Sequence, residues 1–150
     1  MSRDDAAELQ TAVTDYVLED QIGHLLRRAH QRASAIFMAR FAALQLTPTQ
    51  YAALIKIRDE GEVSQNRLGR LTAMDPATMK GVIERLEKRS LIASKADPDD
   101  RRRTLWRLTR EGRGLMGRAL TAGVATTAET LAPLSAKEQK AFMALLARLT

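Results

Sequence analysis

Two helix starts set close together, at Ser64 and at Asp75-Pro76, restrict this chain more than any other feature of it. A serine or aspartate side chain accepts a hydrogen bond from the unpaired amides of a first turn, and proline fits the first helical position, where its missing N–H costs nothing. Between the two starts there is room only for a small helix burying Leu68 and Leu71 and for a tight turn, Thr72-Ala73-Met74. From Asp75 onward Met79, Val82, Ile83 and Leu86 fall on one face of a second helix, leaving Ala77, Thr78, Lys80, Gly81, Glu84, Arg85 and Lys88 on the other. One face packs and the other is free to touch a partner.

The flanks extend this pair. Leu18, Ile22, Leu25, Leu26, Ala29, Ala33, Ile36 and Phe37 recur at helical spacing and predict a long first helix from about Val13 to Ala43. Thr47-Pro48-Thr49-Gln50 reads as a capping box with Leu46 and Tyr51 as its hydrophobic staple, and Gly61 should end that helix. After the helix pair the apolar period changes. Leu91–Lys95 and Thr104–Leu108 read as the strands of a hairpin around Asp97-Pro98-Asp99-Asp100, with Arg101, Arg102 and Arg103 beside its tip and Trp106 packing with Leu108. Thr109 caps another long helix through Leu115, Leu120, Val124 and Leu131, broken at Pro133. Ser135-Ala136-Lys137-Glu138 is a second capping box, opening a helix with Ala141, Phe142, Leu145, Leu146 and Leu149 on one stripe. The chain therefore reads as mainly α and as one continuous unit. A winged helix-turn-helix lobe with a two-stranded wing, residues 46–109, lies between long dimerisation helices in residues 1–45 and 110–150.

Composition narrows the function. Apolar residues make up 45% but aromatics only 4%, which suits packed helices rather than a sandwich or barrel. With no cysteine, disulfides, thiolate metal sites and cysteine nucleophiles are excluded. The acidic, polar start has no apolar stretch of signal-peptide type, and no apolar run approaches the ~20 residues of a membrane span, so a cytoplasmic protein without membrane contact is expected. The net charge of +6 is unevenly spread: residues 61–110 hold twelve Lys/Arg against seven Asp/Glu, whereas residues 1–60 hold seven against eight. A basic segment between near-neutral helices suggests a local contact with a polyanion.

The residue types at the basic segment suit duplex DNA. Pro76, Ala77 and Thr78 are small enough for close approach to base edges and thymine methyls, and Lys80 and Arg85 can reach guanine or phosphate, with Gly81 on the same free face. Ser64, Gln65 and Asn66 open the preceding helix, and Asp100, Arg101, Arg102 and Arg103 occupy the wing, where guanidinium groups suit the negative minor groove. Other signals fall away. Gly112, Gly114 and Gly117 spell G-x-G-x-x-G, but no second parallel strand follows with an acidic residue at its end, so they read as small residues at a hairpin-to-helix junction and no cofactor is expected. His24 and His30, six apart, do not share a helix face as metal ligands would. No nucleophile and base, carboxylate pair or metal set points to an enzyme.

The stretch from Leu46 to Gly112, with LTPTQYAAL, SQNRLGRLTAMDPATMKGVIERLEKRSLI and DPDDRRRTLWRLTREG, resembles the MarR family of winged-helix regulators. QIGHLLRRAHQR and EVSQNRLGRLTAMD are further similar to members controlling nicotinate and other aromatic-acid catabolism. The resemblance implies a homodimer with interlocking first and last helices, a palindromic operator and often a small aromatic or phenolic effector. It places Asp100 and Arg102 at the family's D-x-R wing positions and Pro76–Arg85 on its recognition helix. Ser90 departs from the pattern, since many members place Gly there. If Ser90 is left-handed, the cost is about 1 kcal/mol. The expected function is a ligand-responsive repressor released by a small aromatic acid. His24, Arg28 and Tyr51 would supply that acid with a hydrogen bond, a positive charge and an aromatic wall. The alternative is an architectural DNA-binding protein without effector.

Overall fold

The first long helix begins later than its apolar spacing suggests. The structure, a computed structural model, describes residue 13 and residues 15–150, and the chain divides into two compact units, Met1–Ala33 and Ser34–Thr150. Helix α1 covers Ile22–Phe41; a 3-10 turn at Leu18–Asp20 precedes it, separated from it by Gln21 in an extended conformation. Residues 15–20 are exposed, so no burial rewards the ordering of further helical turns there.

Ser34–Thr150 contains the remaining elements. A 3-10 turn, Ala42–Leu44, closes α1 and ends at left-handed Gln45. Helix α2 (Pro48–Glu60) starts as expected: Gln50 N donates to Thr47 Oγ1 at 3.3 Å while Thr47 N donates to Gln50 Oε1 at 3.1 Å, and Gly61 ends the helix at φ 75°. Leu46 is buried, and Tyr51 packs partly buried against the same core. Then follow β1 (Val63–Ser64), α3 (Gln65–Thr72), α4 (Pro76–Lys88), β2 (Ile92–Ala96), β3 (Thr104–Leu108), α5 (Arg110–Leu131) and α6 (Ala136–Leu146). Leu68 of α3 is wholly buried, but Leu71, expected beside it, is 36% exposed. In a helix this short, the inward position one turn after Leu68 belongs to Thr72, whose hydroxyl donates to the Leu68 carbonyl at 2.7 Å.

The hairpin β2–β3 is antiparallel, with Ser94 opposite Trp106 and Ile92 opposite Leu108. A third strand, absent from the sequence reading, completes it: β1 pairs antiparallel with β3, Val63 opposite Trp106, giving the order β1-β3-β2. Trp106 and Leu108 are buried together, as expected of wing packing. The core gathers Phe41, Leu54, Ile57, Leu68, Met79, Leu86 and Ile92 with Leu115, Met116 and Ala119 of α5. Gly112 lets α5 meet the hairpin, because a Cβ there would strike the Leu91 carbonyl oxygen; Gly114 and Gly117 face open space. Helix α6 begins on the expected Ser135–Glu138 capping box. No helix of the described residues is long and apolar enough to cross a membrane.

Candidate nucleic-acid interface

Local hydrogen bonds set the first turns of α3 and α4. Ser64 Oγ accepts from Arg67 N at 3.4 Å. At α4 the Asp75 carboxylate accepts twice from Thr78, from its hydroxyl at 2.6 Å and from its backbone N at 2.9 Å. The Thr78 hydroxyl and then the backbone amide hold the Asp75 carboxyl below its ordinary range. With its proton committed to Asp75, the Thr78 hydroxyl keeps only lone pairs and the neighbouring methyl for an outside partner.

Pro76, Ala77, Thr78, Lys80 and Arg85 are exposed along the face of α4 opposite buried Met79, Val82, Ile83 and Leu86. The Arg85 guanidinium folds back over half-buried Gly81, where a Cβ would stand 3.2 Å from its Nη1. Lys80 lies 3.9 Å from Glu84, both largely exposed. Such a pair is weak enough to open for another anion.

Asp97 is buried at the base of the wing. Its Oδ1 accepts from Asp99 N at 2.9 Å, its Oδ2 faces Arg103 Nη1 at 3.5 Å, and its backbone N donates to the Arg103 carbonyl at 2.9 Å. Asp100 Oδ1 accepts from Arg102 N at 3.0 Å, while its carbonyl accepts from Arg103 N at 2.8 Å. Two carboxylates thus build the turn, and the side chain of Arg102 stands 94% exposed beyond it. Asp97 escaped the sequence reading of the site, although its place in an Asp-Pro turn was the available signal.

Two grooves join these parts. One, of about 640 Å³, runs between α3 and the wing and is lined by Gln65, Asn66, Arg67, Arg70, Arg102 and Arg103. Another, of about 510 Å³, lies between α3 and the start of α4, where Gln65, Asn66 and Arg70 meet Pro76 and Met79. The three shared residues make one surface from the wing tip to the first turn of α4. Arg67 and Arg70 were not singled out from the sequence; their spacing of three beside Asn66, opposite Leu68, was the signal. Arg67 is held by Glu60, Nε to Oε2 at 2.8 Å.

The candidate effector residues divide between the two units. His24 and Arg28 lie on α1 within Met1–Ala33, and His24 Nδ1 is 3.0 Å from Arg27 Nη2. A guanidinium only donates, so Nδ1 is the acceptor in this contact. Tyr51 lies in Ser34–Thr150, its ring 4.8 Å from that of Phe41 and its hydroxyl against Gly123. Burial raises the Tyr51 pKa against the opposing pull of Arg58, so the phenol stays protonated. Its other side lines a groove of about 490 Å³ with Leu120, Val124, Thr127 and Leu131.

The MarR family profile matches residues 46–104. Over 136 residues, 91% of this chain and 86% of the relative, the sequence is 38% identical to the HTH-type transcriptional repressor NicR of Pseudomonas putida. Among solved structures, a probable transcriptional regulator from Pseudomonas aeruginosa is 51% identical, with a TM-score of 0.86 over 89% of this chain and all of that one. The Bordetella bronchiseptica protein BpsR, whose DNA binding is regulated by 6-hydroxynicotinic acid, is 40% identical, with a TM-score of 0.85 over 89% of this chain and 96% of its own.

Proposed function

Because the chain belongs to the MarR family of DNA-binding transcriptional regulators, we propose that it is a repressor that binds a palindromic operator as a homodimer and leaves it when a small aromatic acid binds. The observation that carries the DNA-binding part is the continuous surface made by Gln65, Asn66 and Arg70 between the Arg102–Arg103 wing and Pro76. In this reading the first turn of α4 enters the major groove: Ala77 and the Thr78 methyl meet base edges, Lys80 and Arg85 reach guanine or phosphate across Gly81, and Ser64, Gln65 and Asn66 meet the backbone. Arg101, Arg102 and Arg103 extend toward the minor groove from a turn shaped by Asp100. Two such lobes related by a twofold would meet half-sites about 34–36 Å apart.

The aromatic acid is supported by BpsR, which shares 40% of its residues with this chain. In this reading Arg28 of the first helix takes the carboxylate and His24, one turn earlier, supplies a hydrogen bond.

The test of the DNA-binding surface is Arg102→Ala, with a duplex selected by the wild-type protein from a random pool and a scrambled duplex of equal length. Both affinities should fall, and the slope of log affinity against log salt should drop by about 1 if Arg102 meets one phosphate. Unchanged affinity and slope would remove the wing from the interface.

A further inference from the structure

Arg89 ties the C-terminal end of α4 to the turn that closes α1. It follows Lys88 as the C-cap residue, its own N–H bonded to the Arg85 carbonyl. Its guanidinium donates from Nη1 to the carbonyl of Gln45 at 2.6 Å and from Nη2 to that of Leu44 at 2.9 Å. These two carbonyls end the 3-10 turn Ala42–Leu44, and a helix end leaves its last carbonyls without partners inside the helix. A planar guanidinium can bridge two successive oxygens in a fixed plane. A lysine ammonium cannot.

On its other side the same end of α4 is pinned by the sheet. Ser90, left-handed at φ 56°, turns the chain toward β2, and its carbonyl accepts from the Thr109 hydroxyl at 2.6 Å. Along its length α4 packs on α2, α3 and β2, all within the DNA-binding lobe. The Arg89 bonds reach instead to residues 44 and 45 positions earlier, outside that lobe.

We propose that Arg89 is a positioning residue for DNA recognition: its paired bonds to Leu44 and Gln45 fix the angle at which α4 is carried by the end of α1. This rests on the dimeric reading above, since the angle matters to DNA only when two α4 helices must meet two half-sites at one spacing. Losing the strap leaves each lobe folded and frees the spacing.

The absence of cysteine from the chain gives a clean measurement. Glu84→Cys on the exposed face of α4, nitroxide-labelled, places one label on each protomer, and pulsed dipolar spectroscopy reads the distance between them. The otherwise wild-type protein is expected to give one narrow peak, and Arg89→Ala to lose it for a broad distribution, with circular dichroism unchanged. Arg89→Lys, whose ammonium cannot hold both carbonyls in one fixed plane, should fail to restore the peak and serves in place of Arg89→Ala if that variant unfolds. Ile57→Val, a core truncation on α2 outside the strap, should keep the narrow peak. Equal widths with and without Arg89, or equal broadening in Ile57→Val, would overturn the strap while leaving the dimer in place. No dipolar signal in the protein with Arg89 would overturn the dimer, and the strap's role with it.

Discussion

Among the described residues, three other than glycine hold left-handed backbone: Gln45 at φ 50°, Ala73 at 52° and Ser90 at 56°. Each stops a helix or helical turn, and each carries a cost of about 1 kcal/mol from Cβ crowding against the backbone. At Ser90 the conformation is imposed from both sides, its N–H bonded to the Glu87 carbonyl at 2.8 Å and its own carbonyl to Thr109. Ser90→Gly should therefore stabilise the protein by about 0.5–1 kcal/mol and raise the melting temperature by about 1–4 °C. Urea unfolding with an unchanged m-value checks it, and a loss of stability would mean that the serine side chain contributes more than the strain it carries. The position was legible in advance because a departure from glycine stood where the chain had to turn. Gln45 and Ala73 gave no such sign, since nothing local distinguishes a glutamine or alanine forced to φ > 0 by its neighbours.

Among the elements, the capped helices were legible because a cap and its amide lie three residues apart, within reach of local inference: Thr47, Ser64, Asp75, Thr109 and Ser135 all accept from the expected amide. The strand Val63–Ser64 was not. Two residues carry no periodicity, and they become a strand only where β3 offers the free edge at Leu105 and Trp106. The join between sheet and α5 depends on one glycine. Gly112→Ala should cost about 1–3 kcal/mol, because the new Cβ must displace the Leu91 backbone. Gly114→Ala and Gly117→Ala, facing open space, should be neutral or slightly stabilising through helix propensity. Thermal unfolding of the three variants side by side decides, and equal effects would mean that α5 does not seat against Leu91 through Gly112.

For the whole molecule, both units leave apolar side chains exposed: Ile22, Leu25 and Leu26 in one, and Val124, Phe142, Met143, Leu145 and Leu149 in the other. That is the surface a second copy would cover in the proposed dimer. The proposed control by an aromatic acid belongs to this scale, because a ligand acts only by favouring one arrangement of the reading helices over another. Titrating 6-hydroxynicotinate and hydroxybenzoates against the complex with the selected duplex should weaken binding at least about tenfold, a preference of about 1.4 kcal/mol. His24→Ala and Arg28→Ala should blunt that response while leaving ligand-free DNA binding intact. A full response in both variants would exclude this site. The sequence by itself determined the capped helices and the wing hairpin, because caps, turn residues and apolar periods act over a few residues and carry their own physical cause. Only the tertiary structure decided the third strand, the late start of α1, the burial of Asp97 and the bonds from Arg89 to Leu44 and Gln45. The third strand and the Arg89 bonds depend on groups distant in sequence, whose meeting no local pattern records.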